Sequence, residues 1–122
     1  MKYQYVYIAG PITKGDTLLN IRDGMLTGIE LVKRGYTPFV PHNDMMQYIL
    51  DPKVLEYETM LAQDFAWIKK CDALLRLPGE SPGADREVQF ALSQGLFVTT
   101  SLDALDDENE RIELGIPPRD RD

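Results

Sequence analysis

Apolar and polar residues follow one another in blocks whose period switches between two and about 3.6 along the chain. Tyr3 to Ala9 is rich in aromatic and β-branched residues and closes on Gly10-Pro11, which predicts a buried strand and a turn. Asp16 to Arg34 carries Leu18, Ile21, Met25, Leu26, Ile29 and Val32 close to helical spacing, and Gly35 after Lys33 and Arg34 is a helix stop. Tyr36 to Val40 reads as a second strand, closed by Pro41. His42 to Lys53 mixes polar and apolar residues around Pro52 and predicts a loop with a short helix. Val54 to Lys70 predicts a helix with a wide apolar face of Leu55, Met60, Leu61, Phe65 and Ile68. Ala73 to Leu77 is a third strand, ended by Pro78-Gly79. Ser81-Pro82 then supplies an N-cap and a proline at the first helical position, for a helix running to about Gln94 and stopped by Gly95. Leu96 to Thr100 is a fourth strand. A short helix is expected near Leu102 to Leu114, before a polar tail with Pro117-Pro118.

Strand and helix alternate throughout, which predicts an α/β domain with a parallel sheet covered by helices on both faces. Right-handed crossovers make a single doubly wound, flavodoxin-like sheet of four to five strands the natural solution. Ligands of such sheets sit beyond the carboxyl ends of the strands, where strand order reverses. The loops of interest are therefore Gly10–Asp16, Pro41–Asp44 and Pro78–Arg86.

At 122 residues and 43% hydrophobic content the chain suits one soluble domain, residues 1–122. No apolar run reaches the ~18 residues of a membrane span, and the first residues lack a signal-peptide core, so no membrane partner and a cytoplasmic location are expected. Cys71 is the only cysteine, which excludes an intrachain disulfide and gives no metal pattern; it reads as a small buried hydrophobe. A net charge of -7 and a pI near 4.6 argue against nucleic acid as a partner. Any phosphate site must then be built locally, from loop N–H groups and a few cations. The acidic residues Asp103, Asp106, Asp107, Glu108 and Glu110 read as a solvated C-terminal segment spanning about 103–122.

Four stretches carry side chains with chemical potential. Gly10-Pro11-Ile12-Thr13-Lys14-Gly15-Asp16 joins a strand to a helix with two glycines and a cation. It matches neither a P-loop nor the dinucleotide fingerprint, and suits a tight turn as well as a phosphate cradle. His42, the only histidine, stands at the ligand edge of the second strand, where a structural role competes with a binding one. Asp64 lies inside a helix among Met60, Leu61, Trp67 and Ile68; partial desolvation there would raise its pKa and suit it to carry a proton, unless it is simply an exposed helical aspartate. Ser81-Pro82-Gly83-Ala84-Asp85-Arg86-Glu87 puts Glu87 in the second turn of a helix, able to reach back over the sheet edge. Asp72, just before the third strand, reads as a cap or turn residue, and Trp67 as core or pocket wall.

Together these segments resemble the nucleoside 2-deoxyribosyltransferase superfamily. Tyr5-Val6-Tyr7-Ile8-Ala9-Gly10-Pro11 is similar to its first strand and loop. Gln63-Asp64-Phe65 through Asp72 resembles its helix motif, an aspartate eight residues before a second one that opens a strand. Ser81 through Gly95 resembles its serine–glycine–glutamate stretch and following helix. Order and spacing agree across roughly residues 3 to 100. The resemblance implies Glu87 as the nucleophilic or charge-stabilising carboxylate, Asp64 as the aspartate that contacts the sugar or helps the base leave, and Tyr7 as the residue positioning the glutamate. It implies Ser81 as a ligand of a 5′-phosphate, with Gly10, Ile12, Lys14, Gly15, Gly83, Arg86 and His42 around the substrate. Cleavage of the N-glycosidic bond of a ribo- or deoxyribonucleoside 5′-monophosphate is the implied activity. Base exchange on nucleosides, or a catalytically silent nucleotide-binding protein, are the alternatives. A weaker likeness, in Pro78-Gly79 with a later glutamate, is to cytokinin-type phosphoribohydrolases. No cofactor or metal is implied, and shared sites in the superfamily imply a homodimer or higher homo-oligomer.

The chemistry suits these residue types. Breaking an N-glycosidic bond develops positive charge at the anomeric carbon and negative charge on the base. One carboxylate stabilises or captures the first, and a protonated acid serves the second. The chain departs from the hydrolase pattern in two places. Its first-loop cation is a lysine, one position later than the usual arginine. Asp85 and Arg86 replace small or apolar residues before Glu87, so Asp85 would repel a phosphate unless Arg86 offsets it.

Overall fold

Four parallel strands form one sheet in the order β2-β1-β3-β4, flanked by helices, in a computed structural model that describes residues 1–51 and 56–117. The strands are β1 (Tyr5–Ala9), β2 (Thr37–Phe39), β3 (Ala73–Arg76) and β4 (Phe97–Thr99). The helices are α1 (Thr17–Lys33), α2 (Met45–Leu50), α3 (Tyr57–Ile68), α4 (Pro82–Ser93) and α5 (Leu102–Glu113), with a 3₁₀ turn at Pro41–Asp44. Each anticipated element is present, a residue or two shorter at its ends. The anticipated helix start at Val54 and Leu55, the Pro52 loop and Pro118 lie outside the described residues. Strand order reverses between β1 and β3, whose register pairs Tyr7 with Leu74 and Ala9 with Arg76.

The period-two alternation of β1 divides the core. Val6 and Ile8 face one layer, with Leu31 of α1 and Leu105 of α5. Tyr7 and Ala9 face the other, with Ile68 of α3 and with Ala84 and Ala91 of α4. Tyr7 therefore emerges on the α3/α4 side of the sheet, at the strand edge where a ligand would sit.

Local signals explain the helix ends. The Asp16 side chain accepts from the Leu19 amide at 3.1 Å, Ser81 from Ala84 at 3.1 Å and Ser101 from Ala104 at 3.2 Å, each cap satisfying an otherwise orphaned N–H. Asp72 is the expected turn residue: its Oδ2 accepts from the amides of Gln4 and Tyr5 at 3.0 and 2.9 Å, tying the start of β3 to β1. The acidic segment is less solvated than its composition suggests. Helix α5 buries Leu105, Glu108 and Asn109, and Asn109 exchanges hydrogen bonds with the Tyr3 backbone at 2.9 and 3.2 Å. Cys71 is half-buried rather than fully enclosed.

Helix α1 differs most from its sequence pattern. Its buried residues are Gly24, Gly28 and Leu31, whereas Leu18, Met25, Leu26, Ile29 and Val32 are exposed. The glycines bring the helix close to its neighbours: a Cβ on Gly24 would lie 2.4 Å from His42 Cγ, and one on Gly28 2.7 Å from a Val40 methyl. No helix among the described residues is long and apolar enough to cross a membrane.

Candidate active site

Three ionisable side chains from three elements meet above the β1/β3 edge. Tyr7 is fully buried on β1, and its hydroxyl donates a short hydrogen bond to Glu87 Oε2. Glu87 shares a helical face with Ala84 and Ala91, and those two small residues let α4 press onto the sheet, leaving Glu87 6% exposed. Asp64 lies on the α3 face that also carries Leu61 and Ile68 and interacts electrostatically with both Glu87 and Tyr7.

Burial sets the electrostatics of this cluster. Loss of hydration, then the Asp64 charge, pushes the Glu87 carboxyl up to about 8, against the smaller lowering influences of the Tyr7 hydroxyl and the Arg76 guanidinium. Burial raises Asp64 as well, opposed by its hydrogen bonds to Glu87 and Tyr7. Burial and the two carboxylates hold the Tyr7 phenol well above its usual range, so it stays a donor. Two carboxyls in such mutual contact titrate as a pair, and the pair retains a proton at neutral pH.

Asp64 and Glu87 line a cavity of about 510 Å³, within the range that admits a small-molecule ligand, and Tyr7 supports Glu87 from beneath its lining. Gly10, Ile12, Thr13 and Lys14 line it from the β1–α1 loop, and Ser81, Pro82, Gly83 and Ala84 from the start of α4. Met45, Tyr57, Met60 and Leu61 give it an apolar wall. Gly10 allows a close crossing of chains, since a Cβ there would sit 2.9 Å from that of Leu77. Lys14 Nζ meets Glu80 Oε1 at 3.1 Å, but both side chains are more than half exposed, so the pair costs little to break.

Three residues that the sequence associates with substrate lie elsewhere. His42 is 1% exposed beneath the first loop, where its Nε2–H donates to the Pro11 carbonyl at 3.2 Å and burial lowers its pKa. It supports the loop from behind because α1, thinned at Gly24, closes over its ring. Arg86 projects from the outer side of α4, bonding Glu58 at 3.2 Å and standing over the Tyr57 ring at 5.7 Å. It does not neutralise Asp85. Gly15 takes a left-handed conformation, φ 84°, with open space around it, and shapes the loop without lining the cavity.

Arg76, rather than Arg86, is the cation that pairs with Asp85. Its guanidinium bonds Asp85 Oδ1 at 3.0 Å, the Gly79 carbonyl at 3.0 Å and the Leu77 carbonyl. It thus cancels the Asp85 charge and clamps the β3–α4 loop that leads to Ser81. A signal was present: an arginine ending an otherwise apolar strand, at the carboxyl edge where ligands bind. The apolar cavity residues Met45 and Tyr57 had no such signal. Among the described residues, no group of three or more histidine, cysteine, aspartate or glutamate side chains is placed to hold a metal ion.

A doubly wound α/β domain with a buried tyrosine–carboxylate pair at its switch point is the class that fold and site define. Residues 4–101 match the family described as a domain of unknown function (DUF7768), and the chain belongs to that family. Among solved structures it is similar to a 2-desoxiribosyltransferase from Leishmania mexicana, with a TM-score of 0.52 and 18% identity over 78% of this chain. The match spans 61% of the Leishmania protein, and at this identity the likeness is one of fold. No curated protein matches the chain.

Proposed function

We propose that the protein is an enzyme that cleaves the N-glycosidic bond of a nucleoside 5′-monophosphate, ribo- or deoxyribo-, and releases the free base. The observation that carries this reading is the buried Tyr7–Glu87–Asp64 cluster, whose two carboxyls line a cavity walled on one side by Met45, Tyr57, Met60 and Leu61. In the reactive arrangement the proton sits on Asp64 and the charge on Glu87. A Glu87 oxygen attacks or stabilises the anomeric carbon as its bond to the base nitrogen breaks. The electron pair leaves with the base, which takes the Asp64 proton. Water then attacks the anomeric carbon, freeing the sugar phosphate and Glu87 and returning a proton to Asp64. Tyr7 holds the Glu87 carboxylate in position throughout. The apolar wall excludes bulk water, which strengthens each of these interactions.

The 5′-phosphate is assigned to the start of α4, where Ser81, Gly83 and the helix dipole favour an anion, with Lys14 exchanging Glu80 for a phosphate oxygen. The Asp85–Arg76 pair removes the nearest repulsive charge. Incubation with a panel of nucleosides and their monophosphates, followed by chromatography for free base, tests the reading. Ser81→Ala and Lys14→Ala are expected to raise KM for the monophosphate about tenfold and to leave KM for the nucleoside nearly unchanged. A wild-type protein that prefers nucleosides, with a ratio neither substitution moves, removes the phosphate site. Base exchange between nucleosides is then the better reading, and the name of the Leishmania neighbour favours it.

A further inference from the structure

Tyr57, Leu61 and Asp64 follow one another along a single face of α3, and all three line the cavity. Tyr57 stands two turns, about 10 Å, from Asp64 along that wall. Opposite it lies the first turn of α4. A Cβ on Gly83 would meet Tyr57 Cε2 at 3.6 Å and the Tyr57 hydroxyl at 3.8 Å, so ring and helix leave room for a methyl group and nothing larger between them. The ring therefore bounds the cavity at the end away from Asp64. Its own packing does not fix it there, because Tyr57 is 51% exposed in the first turn of its helix. Arg86 does. Its guanidinium stands over the ring at 5.7 Å, and its Nη1–H donates to Glu58 Oε1 at 3.2 Å, so one cation of α4 engages two consecutive residues of α3. The neighbouring Asp85 is paired with Arg76, which leaves Arg86 to α3. Tyr57 is part of the cavity lining and Arg86 is not.

We infer that Tyr57 is a substrate-contacting residue that covers the ligand at the α4 end of the cavity, and that Arg86 is a positioning residue that acts on the ligand only through that ring. The inference rests on the reading above, in which this cavity takes the nucleotide. It gives Arg86 a different task from phosphate binding. A cation that bonds a phosphate favours monophosphates over nucleosides, whereas a cation that steadies a tyrosine favours both alike. The ring offers apolar area at a small cost in side-chain entropy, and the guanidinium lowers that cost further by holding the ring in place before the ligand arrives.

Calorimetric titration of the Glu87→Gln protein with the common ribo- and deoxyribonucleosides and their 5′-monophosphates reads binding without turnover. Tyr57→Leu and Tyr57→Ala should each weaken nucleoside and monophosphate alike, by about tenfold. Arg86→Ala should weaken both by about 2–5-fold, and Arg86→Lys should recover part of the loss. In the Tyr57→Leu background Arg86→Ala should change nothing further, because the two act as one unit. With Glu87 restored, the same substitutions should raise KM and leave kcat and the pH profile in place. Circular dichroism verifies that each variant is folded. Arg86→Ala weakening the monophosphate alone, or weakening either ligand when Tyr57 is already leucine, means that the guanidinium meets the ligand directly and overturns the inference. Folded Tyr57 variants that bind as tightly as their parent overturn it too, and leave the proposed function standing. A parent protein that binds none of these compounds overturns the proposed function, and this inference with it.

Discussion

Replacing Glu87 by glutamine should make the protein more stable at neutral and alkaline pH while removing its activity. In the folded chain Glu87 is pushed up to about 8 from an ordinary 4.5, chiefly by burial. A carboxyl raised on folding binds its proton more tightly in the native state, so between those two values the native state holds more protons than the unfolded one. Stability then falls as pH rises through the window and levels off above about 8. The full shift is worth at most ~5 kcal/mol, and at pH 7 about 3 kcal/mol, order-of-magnitude figures because Asp64 shares the proton. Glutamine mimics the protonated acid: its carbonyl can accept from Tyr7 and its amide can donate to Asp64. Urea unfolding of both proteins at pH 5, 7 and 9 reads the difference. The variant should match the wild type near pH 5, lead it by ~2–3 kcal/mol at pH 7, and lead by more at pH 9. A constant difference across the three, or a variant less stable at pH 9, would refute the argument that Glu87 is held in its site against its own ionisation.

Tyr7→Phe removes a hydrogen bond that favours the charged form of Glu87, so the acid limb of the pH–rate profile should move to higher pH and kcat/KM fall about 10–100-fold. Arg76→Met frees the Gly79 carbonyl and Asp85 and removes a positive charge that lowers the Glu87 pKa; a higher KM for monophosphates and an upward shift of the same limb are expected from the pH-dependent kinetics. Gly24→Ala sets a methyl against the His42 ring and should destabilise the fold by ~1–3 kcal/mol in thermal or urea unfolding, with KM rising because the ring supports Pro11.

The fold was legible because its signals are local. Ser81-Pro82 is a strong local start signal for a helix, and the aromatic and β-branched run from Tyr3 to Ala9, closed by Gly10-Pro11, favours a buried strand. The carboxylates were singled out by the resemblance of their motifs rather than by spacing alone, which left Asp64 open to being an exposed helical aspartate; the structure shows Glu87 on one helical face with the buried Ala84 and Ala91, and Asp64 on one with Leu61 and Ile68. His42 could not be placed from sequence because a residue at a strand end can point to either side of a loop, nor Arg86 because a long side chain in the second turn of α4 can reach several neighbours. Which side is decided by packing, here by Gly24 making room for the imidazole and by Arg76 reaching Asp85 first. Helix α1 was legible as a helix and illegible in its orientation. Its apolar stripe has the spacing of a core face, yet the glycine side is the one that fits against His42 and Val40.

The assignment of catalysis to the Glu87–Asp64–Tyr7 cluster stands or falls on base release by the wild type and by Glu87→Gln, followed by chromatography on the same panel of nucleosides and monophosphates at pH 7, with circular dichroism verifying the fold of each. Wild type should free the base from at least one substrate, and the variant should be slower by about 10³-fold or more, the loss expected when the group stabilising the transition state is made neutral. A folded variant that releases base at the wild-type rate, or a wild type that binds these compounds and releases no base from any of them, would contradict it.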